Sequence, residues 1–235
     1  MGHGRLVLAE DEAGAPIGFA ATMPIGPMWM LTDLFVRPDA QRAGTGGQLL
    51  RAALADVDSW QTFSSQDRRA IALYGRSGAS ARWPLLYLHG RLDRAVSPTG
   101  WTVAVVDPAV AAAQERDWTG VDRSADYRYW TARPDSAAYL VSDRTGVSAA
   151  GCVSGSGGMR SVTHLCLAPG REAVGPVLSL LAELDGPARL YLPGPHPALP
   201  VLLRHGLMIE DFDLFMSTAG APALNPHSAY HPGLC

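Results

Sequence analysis

Seven residues between an apolar run and a helical stripe carry the most chemistry in this chain: Gln41-Arg42-Ala43-Gly44-Thr45-Gly46-Gly47. Upstream, Met30–Val36 (MLTDLFV) has the composition of a β-strand, and Arg37-Pro38-Asp39 breaks it, because proline fixes φ and donates no hydrogen bond. Downstream, Leu49, Leu50, Ala53 and Leu54 recur at the spacing of one helical face, which predicts a helix to about Val57. A strand, a glycine-rich turn and a helix start in that order suit an anion. The first amides of a helix have no intrahelical acceptor, and the helix dipole is positive there. Glycines at 44, 46 and 47 let a diphosphate approach the backbone, and Arg42 offers charge-assisted hydrogen bonds.

The same residues exclude two other phosphate loops. A P-loop needs Lys-Ser/Thr after its glycines, and this chain contains no lysine. A dinucleotide fingerprint needs G-x-G-x-x-G, and counting from Gly44 puts Leu49 at the third glycine. What remains is V-R-P-x-x-Q-x-x-G-x-G after a strand. This stretch resembles the acyl-CoA pyrophosphate loop of the GNAT N-acetyltransferases. The resemblance implies acetyl-CoA as acyl donor, with Gln41, Arg42, Ala43, Gly44, Thr45, Gly46 and Gly47 at its diphosphate. It also implies a central strand that splays from its neighbour, so that the backbone of Leu34, Phe35 and Val36 meets the acyl carbonyl and pantetheine.

Transfer to an amine requires a nucleophile, donors for the developing oxyanion and a proton donor for the departing thiolate. In the family that donor is often a tyrosine within A-x-x-L/F-Y-x-x-x-G, and Ala70–Gly78 (AIALYGRSG) matches it, which makes Tyr74 the candidate general acid. Gln66 stands where relatives often carry an asparagine against the pantetheine arm. Asp33, on the central strand, is a candidate base. A group from the second half of the chain or solvent are the alternatives.

The remaining elements must position these groups. At 235 residues, with 47% hydrophobic and 17% charged residues, the chain is long enough for one large or two small folded domains. A net charge of −3 gives no general attraction to nucleic acid or to an anionic membrane surface. No apolar run approaches the roughly 18 residues that span a bilayer, and no signal pattern opens the chain. Three cysteines, Cys152, Cys166 and Cys235, form neither a disulfide framework nor a zinc spacing, which fits a cytoplasmic location and no metal. His227 and His231 lie four apart but are flanked by Pro226 and Pro232, too few ligands for a closed site.

Read in order, the chain predicts strands at Arg5–Glu10, Ile17–Met23 and Met30–Val36, then the helix, a strand at Trp60–Ser64, a helix at Arg68–Arg76 and a strand at Trp83–His89. After a polar break come a strand at Trp101–Val106, helices at Pro108–Trp118 and Arg123–Thr131, and strands at Ala137–Val141, Val147–Val153 and Ser161–Leu167. A helix at Val174–Leu184, a strand at Arg189–Leu192, a helix at His196–His205 and a strand at Met208–Ser217 follow. Gly18 then matches Gly151 at an offset of 133, Pro38 matches Pro169 and Leu49-Leu50 match Leu180-Leu181 at 131, and Gly78 matches Gly206 at 128.

The expected fold is therefore α/β (α+β): two tandem GNAT-type units, each a mixed, mostly antiparallel sheet flanked by helices. Residues 1–95 form the first, truncated at its N-terminus; residues 100–218 form a degenerate second; residues 219–235 form an irregular tail. In the second unit Arg171-Glu172-Ala173-Val174-Gly175-Pro176 replaces the loop, and Leu202 takes the place of Tyr74, so neither CoA binding nor proton donation is expected there. The function implied is an acyl-CoA-dependent N-acyltransferase moving acetyl to a primary amine of a small molecule by direct attack. A non-catalytic acyl-CoA-binding module and a purely structural tandem protein are the alternatives. Strand edges exposed by the missing N-terminal elements favour pairing into a homodimer.

Overall fold

The structure, a computed structural model, describes residues 4–96, 98–219, 224–225 and 228–232, with the side chains of Arg42, Ala43 and Ser156 left out. The chain divides into two units. The first comprises Met1–Trp83 with Asp213–Ala223, the second Pro84–Phe212 with Leu224–Cys235. The division thus falls after Trp83 rather than in the polar break at 95–100, because two long strands change unit partway along.

In the first unit, β1 (Arg5–Glu10) and β2 (Pro16–Ile25) form a hairpin whose turn is closed by Asp11, its Oδ1 accepting from the amides of Ala13 and Ala15. β3 (Met28–Val36) runs antiparallel to β2, and a 3-10 turn at Pro38–Ala43 leads into α1 (Thr45–Ala53). Then follow β4 (Trp60–Ser64), α2 (Arg68–Arg76) and the first part of β5 (Ala79–Gly90). The helix after the loop is shifted from expectation. It begins at Thr45 because Gly44, at φ 80°, makes the left-handed turn that starts it, and it is over by Leu54, with Asp56 at φ 62°. Helices α1 and α2 cover one face of the sheet, around Leu31, Leu49, Leu50, Trp60, Tyr74 and Met216. The opposite face carries Leu6, Leu8 and Phe35, all exposed.

The second unit opens with β6 (Trp101–Val106), α3 (Pro108–Thr119) and α4 (Ser124–Thr131). It continues through β7 (Ala137–Asp143), β8 (Gly146–Ser156), β9 (Met159–Leu167), α5 (Val174–Leu184), β10 (Ala188–Pro193), α6 (Leu199–Arg204) and β11 (Leu207–Thr218). Here both sheet faces are covered. One packs against α5 and α6, through residues such as Leu180 and Leu202, and the other against α3 and α4, through Ala111, Tyr127 and Trp130. The first six residues of β11 belong to this unit, and from Asp213 it belongs to the first, where Leu214–Ser217 pair with β4. Two expectations need correction. The late helix starts at Leu199, not His196, because His196 Nδ1 accepts from the Ala198 amide in a turn of its own. The tail is not wholly irregular, since β12 (Ala229–Tyr230) pairs antiparallel with β9. Pro226, His227 and Cys235 lie outside the described residues.

The repeat has a physical basis. A Cβ on Gly18 would sit 2.6 Å from the Phe35 carbonyl, and one on Gly151 2.3 Å from the His164 carbonyl. Both glycines therefore let two strands close on each other. Each pair also has a bulge. Ala21 faces Asp33 and Thr22 faces Leu31, so Thr32 is the extra residue. Cys152 faces His164 and Val153 faces Val162, so Thr163 is its counterpart, again 131 residues on.

Candidate acyl-transfer site

The first unit's site begins where two parallel strands part. β3 and β4 pair at Trp29–Trp60, Met30–Gln61 and Leu31–Thr62, and no further, although β3 continues to Val36. The Arg37 amide donates to the Ile17 carbonyl on the β2 side. By strand alternation, the backbone groups of Leu34 and Val36 therefore face the gap, and those of Asp33 and Phe35 face β2. The sequence expected Leu34, Phe35 and Val36 to act together. Leu34 and Val36 line the cleft, whereas the Phe35 side chain is exposed and packs on Phe19 at 5.5 Å.

Below the gap is the helix start. Its first bond back to the cap runs from the Gln48 amide to the Gly44 carbonyl, at 3.2 Å. The amides of Thr45, Gly46 and Gly47 precede it, and no side chain caps this end. A Cβ on Gly46 would lie 3.6 Å from Leu73 and 3.8 Å from Val36, and one on Gly47 3.7 Å from Arg51 Nη1. These are ordinary contacts, so nothing inside the protein demands glycine at 46 or 47. Added methyls would only fill the cleft. Gly44, by contrast, is held by its φ.

The cleft has a volume of about 470 Å³ and runs between α1 and α2 from Gly44 to Tyr74. Gln41 ties its walls together: Nε2 donates to the Val36 carbonyl at 3.0 Å, and Oε1 accepts from Arg69 Nη1 at 2.7 Å. Three arginines, Arg51, Arg69 and Arg76, line it against one carboxylate, Asp67. Asp67 caps α2 through the Arg69 amide, and its pKa is pushed down to about 2, chiefly by the hydrogen bond from the Arg69 side chain. The surplus of positive charge suits a polyanion. Arg69, Leu73 and Arg76 follow one helical stripe (i, i+4, i+7), a signal present in the sequence. Arg42 and Ala43 are described only as backbone of the 3-10 turn.

Tyr74 is buried and lines the cleft, edge-on to Trp60 at 6.0 Å, and burial pushes its phenol up to about 12. It is a proton-bearing group at neutral pH. Asp33 is half-buried and does not line this cleft; its side chain alternates to the opposite strand face from Leu34. Gln66 is exposed just before α2 and is not among the lining residues. Among the described residues no cluster of three or more metal-binding side chains occurs, and no helix is long and apolar enough to cross a membrane.

Each of these features is closed in the second unit. The α5 start is capped by its own chain: the Glu172 carboxylate accepts from the Val174 amide at 2.6 Å and the Gly175 amide at 2.7 Å. A Cβ on Gly175 would meet the Trp101 ring at 2.5 Å, so an indole fills the space beside that turn. β9 and β10 pair only at Arg160–Ala188 and Ser161–Arg189 before they part. The tail occupies the opening: Ala229 pairs with Leu165 and Tyr230 with His164, the Leu167 amide donates to Ser228 Oγ, and the His231 amide donates to the Thr163 carbonyl. Residues 164–167 correspond to 33–36 at the offset of 131, so the tail lies against the strand segment equivalent to the one left open in the first unit. Leu202 is buried in the core.

Comparison with known proteins identifies this fold. Residues 2–78 match the family model described as Acetyltransferase (GNAT) domain. The chain has the GNAT fold along nearly its whole length. It resembles the GCN5-related glucosamine N-acetyltransferase region of a fungal multi-domain β-N-acetylglucosaminidase (16% identity, TM-score 0.66), over 91% of this chain and 33% of that one. It resembles the GCN5-related N-acetyltransferase of Sphaerobacter thermophilus (12%, TM-score 0.63), over 94% and 82%. It also resembles a tandem GNAT protein from the clavulanic acid biosynthesis pathway (17%, TM-score 0.56), over 94% and 85%. The chain thus spans a third of the fungal protein and more than four-fifths of the other two. No curated protein matches the sequence.

Proposed function

We propose that this chain is an acyl-CoA-dependent N-acyltransferase that moves acetyl from acetyl-CoA to a primary amine of a small molecule. The reading rests chiefly on one contrast: the uncapped helix start beside an open strand pair in the first unit, against a second copy where Glu172, Trp101 and the tail take up the same groups.

In this reading the amides of 45–47 and the cleft arginines take the diphosphate and the pantetheine lies along Leu34 and Val36. A neutral amine attacks the thioester carbonyl; a C–N bond forms, the oxyanion is held by backbone donors, and the C–S bond breaks. The amine proton leaves to Asp33 or to water, the acceptor approaching from the strand face on which Asp33 stands. A phenol near 12 is a weaker acid than a thiol near 8.5, so Tyr74 acts first as a hydrogen-bond donor to the departing sulfur. The setting is the cytoplasm, where acetyl-CoA and reduced thiols coexist.

Calorimetry with acetyl-CoA, followed by an assay of thiol release over a panel of small amines, tests this. Binding with amine-dependent thiol release is expected. Binding without release across the panel replaces the enzyme with a non-catalytic acyl-CoA-binding module, and no binding removes both.

A further inference from the structure

The second unit has a cavity of its own, about 360 Å³, at the end of the β9–β10 opening. β8 contributes Ser154, β9 Ser161 and Thr163, β10 Arg189, the segment after α4 Arg133, and the tail His231. None of these belongs to the acyl-CoA cleft. Two guanidinium groups and four hydroxyl-bearing side chains, Tyr191 of β10 among them, line a space large enough for a small molecule.

The guanidinium groups there are only partly satisfied from within. Arg189 Nη2 reaches Glu210 at 2.9 Å and its side chain also hydrogen-bonds Tyr191, but its Nε is buried and meets no hydrogen-bond acceptor among the described residues. Glu210 is half-exposed and does not line the cavity. Arg133 Nη2 donates to the Tyr129 hydroxyl at 3.3 Å and lies over that ring; no carboxylate pairs with it among the described residues. A buried donor without an acceptor is uncommon in native folds and calls for a partner. Ser154 and Thr163 are hydrogen-bonded to each other at 3.1 Å, which leaves a second hydroxyl valence for a ligand.

We propose that this cavity binds a small oxyanion, a carboxylate or phosphate group carried by a ligand of the cavity's size, with Arg189 and Arg133 as its charged partners and the β8–β9 hydroxyls completing the contact. The tail then closes off the pantetheine slot of this unit and supplies one wall of a different site. His231 reports the local field. Its ring is packed on Tyr191 at 4.7 Å and its pKa is driven down to about 4, first by burial and then by the repulsion of Arg133 and Arg189. An anion seated between those arginines moves the His231 titration back up, toward 6.5.

The test uses the full chain. The His231 ring resonances are followed by NMR while inorganic phosphate and, separately, succinate are added, with sodium chloride as the ionic-strength control. A saturable response to either probe with an upward shift of the His231 titration is expected, and the probe that gives it names the head group. Arg189→Met weakens that response about tenfold or more, the loss of one charge-assisted contact. Arg133→Met, at an exposed position, moves it the same way, and circular dichroism checks that both variants are folded. A drift that does not saturate, that sodium chloride reproduces, or that both variants retain unchanged overturns the proposal.

Discussion

Replacing Gly46 with alanine separates a ligand's need for space from the fold's. The new Cβ would stand 3.6 Å from Leu73 Cδ2 and 3.8 Å from Val36 Cγ2, both ordinary van der Waals distances, so no neighbour has to move. Gly46 sits in the first turn of α1, with no positive φ to preserve. Alanine is preferred to glycine in a helix by up to about 1 kcal/mol, so a gain of roughly 0.5 kcal/mol is expected at a helix start. For a chain of this size that raises Tm by about 1–2 °C. The same methyl narrows the cleft where, in the proposed function, a diphosphate would touch backbone. Losing one or more hydrogen bonds to a charged group, at about 1.5–3 kcal/mol each, weakens acetyl-CoA binding at least about tenfold. Calorimetric titration and thermal unfolding of the same preparation read both effects. A variant that is more stable and binds weakly supports the cradle. One that binds acetyl-CoA like the parent refutes it, and one that unfolds early refutes the packing argument. Gly44→Val loses binding as well, but its φ of 80° adds about 1–2 kcal/mol of backbone strain, so it cannot separate the two causes.

Tyr74→Phe lowers kcat about 100-fold with little change in acetyl-CoA affinity, as read by thiol release and calorimetry. Because the phenol is raised to about 12, the proton Tyr74 supplies is present up to that value, so its loss produces no basic fall in rate between about pH 8 and pH 10. In the second unit, Glu115 is buried against His164 Nε2 at 2.9 Å and the Tyr127 hydroxyl at 2.9 Å. Burial alone would raise the Glu115 pKa, but His164, Arg123 and Tyr127 together lower it below 4.5. Its contribution to stability is therefore present above that unfolded value and lost as pH falls through the lower folded one. Glu115→Ala costs about 3 kcal/mol or more in urea unfolding near neutral pH, and the acid-sensitive part of the parent's stability disappears with it. Val174→Gly with Pro176→Gly, which returns glycine to the second loop, destabilises the chain and gains no acetyl-CoA site by calorimetry, because the Trp101 ring, Glu172 and β12 remain in place.

The sequence was most legible where local physics dominates. β6 and α5 fall on their expected ends because alternation and helical periodicity are strong there and the flanks carry turn residues. The start of α1 was misplaced for a local reason too. The apolar stripe begins at Leu49, but the helix begins four residues earlier, in glycines that carry no periodic signal. Glu172 could have been found. An acidic residue two and three positions before orphan amides is a capping pattern, and here it satisfies both. The bond from Arg69 to Gln41, 28 residues apart, and the return of the tail onto β9 could not. Both depend on where the chain travels in space. The tail, rich in proline and alanine, shows no strand periodicity, and two residues of β12 are fixed by their partners rather than by their own preference.

The two units answer one physical problem in opposite ways. A helix that starts beside parting strands leaves amide donors and a row of strand groups without partners, and these must meet water, protein or ligand. In the second unit the chain supplies partners itself: a carboxylate two residues before the helix, an indole beside it and a returning strand along the gap. Such contacts contribute to folding, with a carboxylate at a helix start worth about 0.3–1 kcal/mol. They also make the site unavailable, since an incoming diphosphate would have to displace an anion covalently held at short range. In the first unit no side chain caps the helix start, and three arginines face one carboxylate in the cleft beside it, so an anion arriving there would meet unspent interaction energy. A duplicated fold can therefore divide stability and binding between its copies through a few local differences: one carboxylate, one indole and one stretch of tail.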